Sequence, residues 1–162
     1  IMNASLDVMR KIRGNGISII FQEPMTSLNP LHTIEKQLSE GLILHQHISR
    51  ERAQEKVVEL LKLVQLSDAE SRLNAYPHQL SGGMRQRVVI ALALCADPEL
   101  VIADEPTTAL DVTIQAQILR LLAELKERTG TSIMFITPLP SPISAVRATA
   151  VSRKALPNSR ST

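Results

Sequence analysis

The sequence predicts an α/β fold built on a parallel sheet, and three observations carry that prediction. Short apolar runs at residues 17–21 (ISIIF), 99–104 (ELVIAD) and 131–137 (TSIMFIT) have the length and β-branched content of buried strands. A helical pattern at 113–128 separates the second run from the third, and parallel neighbours require such a crossover. Strand, crossover helix and strand in this order put a ligand site at the carboxyl ends of the strands.

The elements follow in order. The strand at 17–21 is stopped by Pro24. Turn residues in TSLNP give way to a helix from about Thr33, weakened at Gly41. After Ser49 a clearer helix gathers Ala53, Val57, Leu60, Leu61 and Val64 on one face and leaves the other charged and solvated. YPHQ at 76–79 breaks the pattern. Residues 82–96 then form a helix whose run VVIALALCA is apolar all round, as a fully buried helix is. Asp97-Pro98 is a turn. The helix at 113–128 turns Ile114, Ile118, Leu121, Leu122 and Leu125 inward, and Glu124 and Arg128 are spaced for an i,i+4 pair on its surface. After Thr137 prolines and serines are scattered without period, so 138–162 is expected to be an unstructured tail.

Composition narrows the function classes. At 162 residues and 44% hydrophobic content there is material for one domain with a real core. Aromatics are limited to Phe21, Phe135 and Tyr76, which argues against stacking on exposed bases. The net charge of +2 rests on Arg147, Arg153, Lys154 and Arg160 in the tail, so a nucleic-acid partner is not expected. The single cysteine, Cys95, falls in an apolar helical run and reads as a small buried thiol. No apolar stretch approaches the roughly 18 residues that a membrane span needs, and the N-terminus lacks a signal peptide's apolar core.

Two stretches carry chemistry. LSGGMRQR at 80–87 opens a helix with a serine and two glycines, although a glycine pair costs roughly 1–2 kcal/mol there relative to alanine. Bare backbone at a helix N-terminus admits an anion to unpaired N–H groups, which suggests a phosphate site. The competing explanation is close packing within the chain itself. LVIADEPTTALD at 100–111 ends an apolar strand in Asp104-Glu105, where a hydrated Mg²⁺ and a nucleophilic water could sit. Two acids at a strand end are also a common surface feature.

Together, in this order and spacing, these stretches resemble the ATP-binding subunits of ABC transporters over about residues 10–137. The resemblance implies a partial P-loop NTPase-type parallel sheet with an inserted α-helical subdomain at about 31–80, in a domain spanning 1–137. It implies ATP and Mg²⁺ as cofactors. Asp104 matches the Walker B aspartate that holds Mg²⁺ through water, and Glu105 the carboxylate that polarises the attacking water. Gln22 in FQEP is similar to the Q-loop glutamine, which senses metal and water and links the site to the membrane subunit. Ser81, Gly82 and Gly83, with Gln86, match the signature segment that faces ATP held by a partner subunit, and Asp111 resembles the D-loop aspartate. FQEPMTSLNPLHT and YPHQLSGGMRQRVVIALAL look most like the importers of dipeptides and oligopeptides, with their nickel and microcin relatives. The implied partners are a second ATPase subunit or domain arranged head to tail, transmembrane permease subunits and, indirectly, a solute-binding protein, at the cytoplasmic face of the cell membrane. In plain structural terms Met25–Pro30 is a turn with local side-chain caps, and Tyr76 and His78 are packing residues.

The sequence also departs from the pattern. It has no G-x-x-x-x-G-K-[ST], nor any Gly-Lys pair, and Thr137-Pro138 stands where the family continues with a histidine. An incomplete ATPase domain is therefore expected, with little activity alone. The alternative is a non-catalytic remnant or interaction module that no longer binds ATP productively. The DNA-repair and chromosome-organising ATPases that share the signature are disfavoured by FQEPMTSLNP and by the short separation from Q-loop to signature.

Overall fold

In the computed structural model, residues 16–107 and 110–136 are described, together with Ser5, Val8, Met9, Ile12, Arg13 and Gly14. The expected tail at 138–162 lies outside them. Strands β1 (Ile17–Ile20), β2 (Leu100–Asp104) and β3 (Ser132–Ile136) form one sheet in the order β1-β2-β3, parallel throughout. Ile20 lies opposite Ala103, and Ala103 opposite Phe135. Side chains alternate across the pleat. Ile20, Val101 and Ala103 therefore turn to a buried face, while Ile19, Met134 and Ile136 turn to an exposed one.

Each long helix begins at a residue whose oxygen accepts an otherwise unpaired amide. Thr33 caps α2 (Ile34–Gln46), Ser49 caps α3 (Arg50–Leu63), Ser81 caps α4 (Gly82–Leu94) and Asp111 caps α5 (Val112–Thr129). Helix α5 stops at Gly130, whose φ of 71° is left-handed and whose N–H returns to the Lys126 carbonyl at 3.1 Å. A short helix, α1 (Pro24–Ser27), follows β1 and starts on a proline, whose missing N–H costs nothing at that position. The stretch expected as a mere turn is thus partly helical. Beyond it, Gln37 holds the loop by accepting from the Asn29 amide at 2.8 Å and donating to the Asn29 and His32 carbonyls.

One core joins α2, α3, α4 and α5. Ile34, Leu38 and Leu42 of α2 and Val57 and Leu61 of α3 join Ile90 of α4 and Ile118, Leu121, Leu122 and Leu125 of α5. Gly41 does not weaken α2 as expected. The helix runs unbroken through it, and a Cβ there would meet Cys95 Cβ at 3.5 Å, an ordinary van der Waals contact with the end of α4. Cys95 is buried as predicted, and burial pushes its thiol up to about 12. The expected Glu124–Arg128 pair does not form. Gln65, in left-handed conformation just beyond α3, donates its amide to Glu124 at 2.7 Å.

Candidate functional site

The site gathers where β1 and β2 end. Parallel pairing brings their carboxyl ends together, so Gln22, two residues past β1, meets the acids closing β2. Its Nε2 donates to Glu105 Oε2 at 3.0 Å across 83 residues of sequence. Glu105 has a φ of 44°, a conformation that non-glycine residues seldom adopt, and its N–H is taken by the Ile136 carbonyl at 2.9 Å. The bond to β3 therefore fixes the backbone from which the Glu105 side chain leaves, and Gln22 holds its carboxylate. Asp104 and Glu105 are both half-buried, at the lip of the sheet.

The second group lies at the tips of α4 and α5. Ser81 Oγ accepts the Met84 amide at 3.3 Å, which satisfies the third amide of α4 and leaves those of Gly82 and Gly83 at the tip. Gly82 and Gly83 lie against Leu110 and Ile114, placing the signature loop beside the Asp111 segment. Asp111 Oδ1 accepts the Ile114 amide at 3.0 Å, so this exposed aspartate is itself the cap of α5. Six positions separate Asp111 from Glu105, making the two groups neighbours along one loop.

Gln86 requires a correction. Expected to face a nucleotide, it is 0% exposed inside α4, because a helix turn carries it from the tip into the core. Tyr76 and His78 stack with ring centroids 5.7 Å apart, in keeping with a packing role.

Two positioning residues escaped the sequence. Gln115 donates to the carbonyls of Thr107 and Leu110, each at 3.0 Å, and so clamps the loop between the carboxylates and Asp111. Arg85 Nε donates to the Pro77 carbonyl at 2.7 Å and pins the 3₁₀ turn Pro77–Gln79 beside the signature loop. Both act on backbone carbonyls brought close by folding, for which no side-chain pattern exists.

The chain is 60% identical over 129 residues to a dipeptide transport ATP-binding protein, DppD, of Lactococcus lactis, and 59% over 129 residues to an oligopeptide transport ATP-binding protein, OppD, of Bacillus subtilis. These alignments cover 79% and 80% of this chain but only 37% and 36% of those proteins, so it spans well under half the length of the curated relatives it matches. Among solved structures, a dimeric ATP-binding cassette, MJ0796, in a post-hydrolysis state with ADP and phosphate aligns at 35% identity with a TM-score of 0.71, over 83% of this chain and 57% of that one. CbiO1 of Clostridium perfringens, part of a transporter complex, aligns at 28% identity and the same TM-score, over 82% of this chain and 51% of that one. The ABC transporter profile matches residues 2–108. With the parallel sheet, the paired Gln22 and Glu105 and the serine-capped glycine tip in place, the chain belongs to the ABC transporter family.

Proposed function

We propose that the chain forms part of the ATP-binding and ATP-hydrolysing subunit of a peptide importer. The observation that carries this reading is the Gln22–Glu105 hydrogen bond at the ends of parallel strands, which aligns a glutamine on a carboxylate. Glu105 accepts a proton-bearing water and orients it, while Gln22 holds the carboxylate and keeps its own amide oxygen for a hard cation. Asp104 and Gln22 offer oxygen donors of the kind Mg²⁺ prefers. Among the described residues no group of three or more His, Cys, Asp or Glu is placed to hold a metal ion. When bound, Mg²⁺ supplies charge neutralisation at the transferring phosphate. Ser81 and the Gly82 and Gly83 amides meet the phosphates of ATP held by a second, head-to-tail subunit, and Asp111 lies at that same junction.

In this reading residues 1–137 form the ATPase part, and about 31–80 form a helical subdomain that docks on permease subunits at the cytoplasmic face of the membrane. A solute-binding protein acts through those permeases, and no nucleic acid is involved. No helix among the described residues is long and apolar enough to cross a membrane. Peptides as cargo follow from the names of the relatives. A second reading is an interaction module without productive ATP binding. Glu105→Gln in a dimeric subunit carrying this segment separates the two. Retained ATP binding with lost hydrolysis supports the enzyme, whereas no ATP binding in either form supports the module.

A further inference from the structure

A cavity of about 780 Å³ opens between α2, α3 and the last turns of α4 and α5. Its lining includes Asp97 and Thr129, which precede β2 and β3, so it lies at the amino ends of these strands, away from the carboxyl ends where Gln22 meets Glu105. Leu42 of α2, Leu60 and Leu63 of α3 and Leu94 of α4 supply apolar lining. The cations on the lining are Lys56, Lys62 and Arg128, against two acids, Glu59 and Asp97. Lys62 is paired with Glu70 at 2.7 Å. Lys56 is half-buried and donates to the neutral amide oxygen of Gln46, and among the described residues neither it nor Arg128 has a carboxylate partner. A cation near a helix C-terminus commonly serves to bond the last carbonyls. Here the chain does this itself: the carbonyls of Leu94 and Cys95 accept from the Asp97 N–H and the Gln46 amide, and those of Leu125 and Lys126 from the Thr129 hydroxyl and the Gly130 N–H.

We propose that this cavity binds a small monocarboxylate with an aliphatic tail, whose carboxylate is met by the Lys56 ammonium and the Arg128 guanidinium and whose tail lies on the leucines. Sites for small ligands run to roughly 300–1,000 Å³ and combine apolar walls with a few charged groups, as this one does. One negative charge balances the lining, and the leucines withdraw the tail from water. Arginine suits the carboxylate because its planar fork offers two parallel N–H donors. The assignment goes beyond the ATP reading and does not depend on it.

Decanoate is the probe, with decanol as its uncharged counterpart and decyltrimethylammonium as its charge-reversed one. In equilibrium dialysis the 162-residue chain should bind decanoate about tenfold more tightly than either. Lys56→Met combined with Arg128→Met should weaken decanoate about tenfold and leave decanol unchanged. The exposed sheet face at Ile19 and Met134 also offers apolar surface, so the place of binding is read separately, from nuclear Overhauser effects between the decanoate chain and the methyl groups of Leu60 and Leu63. Where the double variant does not fold, Arg128→Gln, at an exposed position, carries the comparison and should still weaken decanoate against decanol. Absence of decanoate binding, equal affinity for decanoate and decanol, undiminished decanoate affinity in the variants, or contacts at Ile19 and Met134 in place of Leu60 and Leu63 would each overturn the proposal.

Discussion

A Cβ placed on Gly83 would lie 3.0 Å from Ile114 Cγ2, so the first turns of α4 and α5 touch with almost no room for a side chain between them. At Gly82 the nearest atom, Leu110 Cδ2, stands at an ordinary 3.6 Å. The two glycines look equivalent in the sequence and are not. Gly83→Val should destabilise the chain by about 1–3 kcal/mol by overpacking, with part of the loss recovered in combination with Ile114→Ala. Gly82→Ala should be neutral or stabilising by up to about 1 kcal/mol. Urea unfolding measures all three variants. Gly82→Asp is consequently the cleaner probe of anion approach: turnover by a dimer should be lost with the fold intact, and full activity would contradict a phosphate at this tip.

Asp111 combines an exposed position at the proposed subunit junction with the capping of α5. Asp111→Ala should lower stability by about 1 kcal/mol and Asp111→Asn by only a few tenths, because asparagine caps as well. Chemical denaturation reads the difference. Equal losses for the two variants would show that charge, rather than the cap, is what α5 requires.

Cys95 gives a pH signature. Its thiol is pushed up to about 12 by burial against a reference of 9.0, so between those values the folded chain binds a proton that the unfolded chain has released. The associated stability is fully present below pH 9 and declines as pH rises toward 12, at about 1.4 kcal/mol per pH unit. Cys95→Ala should remove this component, seen as the difference between the two stability profiles. Thiol-reactive dyes should label Cys95 only as the protein unfolds, and rapid labelling of the native chain at pH 8 would refute the burial.

Parallel sheets bury both faces, yet Ile19, Phe21, Met134 and Ile136 are each about half exposed on one side of this one. The 162-residue chain should self-associate at micromolar concentration, and Met134→Lys together with Ile19→Lys should reduce association without unfolding. Sedimentation velocity decides between the cases. A strictly monomeric unmodified chain would show that the face needs no cover.

How much of this was legible beforehand follows from the range of each interaction. The strands, the helix after Ser49 and the helix expected at 113–128 were readable because side-chain periodicity acts within a few residues. Asp104, Glu105, Ser81 and the glycine tip were legible as a pattern of types at fixed spacing. Gln86 was misplaced because spacing along a helix does not tell which face the core will cover, and its neighbours in the motif sit at an exposed tip.

The sequence by itself determined the element order, the parallel crossover and the identity of the polar groups at the strand and helix ends, all of which rest on local sterics and hydrogen bonding. Only the tertiary structure decided that Gln22 lies on Glu105, that Glu105 is held at positive φ by the Ile136 carbonyl, and that Gly83 is required by Ile114. Those contacts join residues up to 83 positions apart. They exist because strands that pair in parallel bring distant carboxyl ends into register, and because close packing leaves no spare volume where two helices cross.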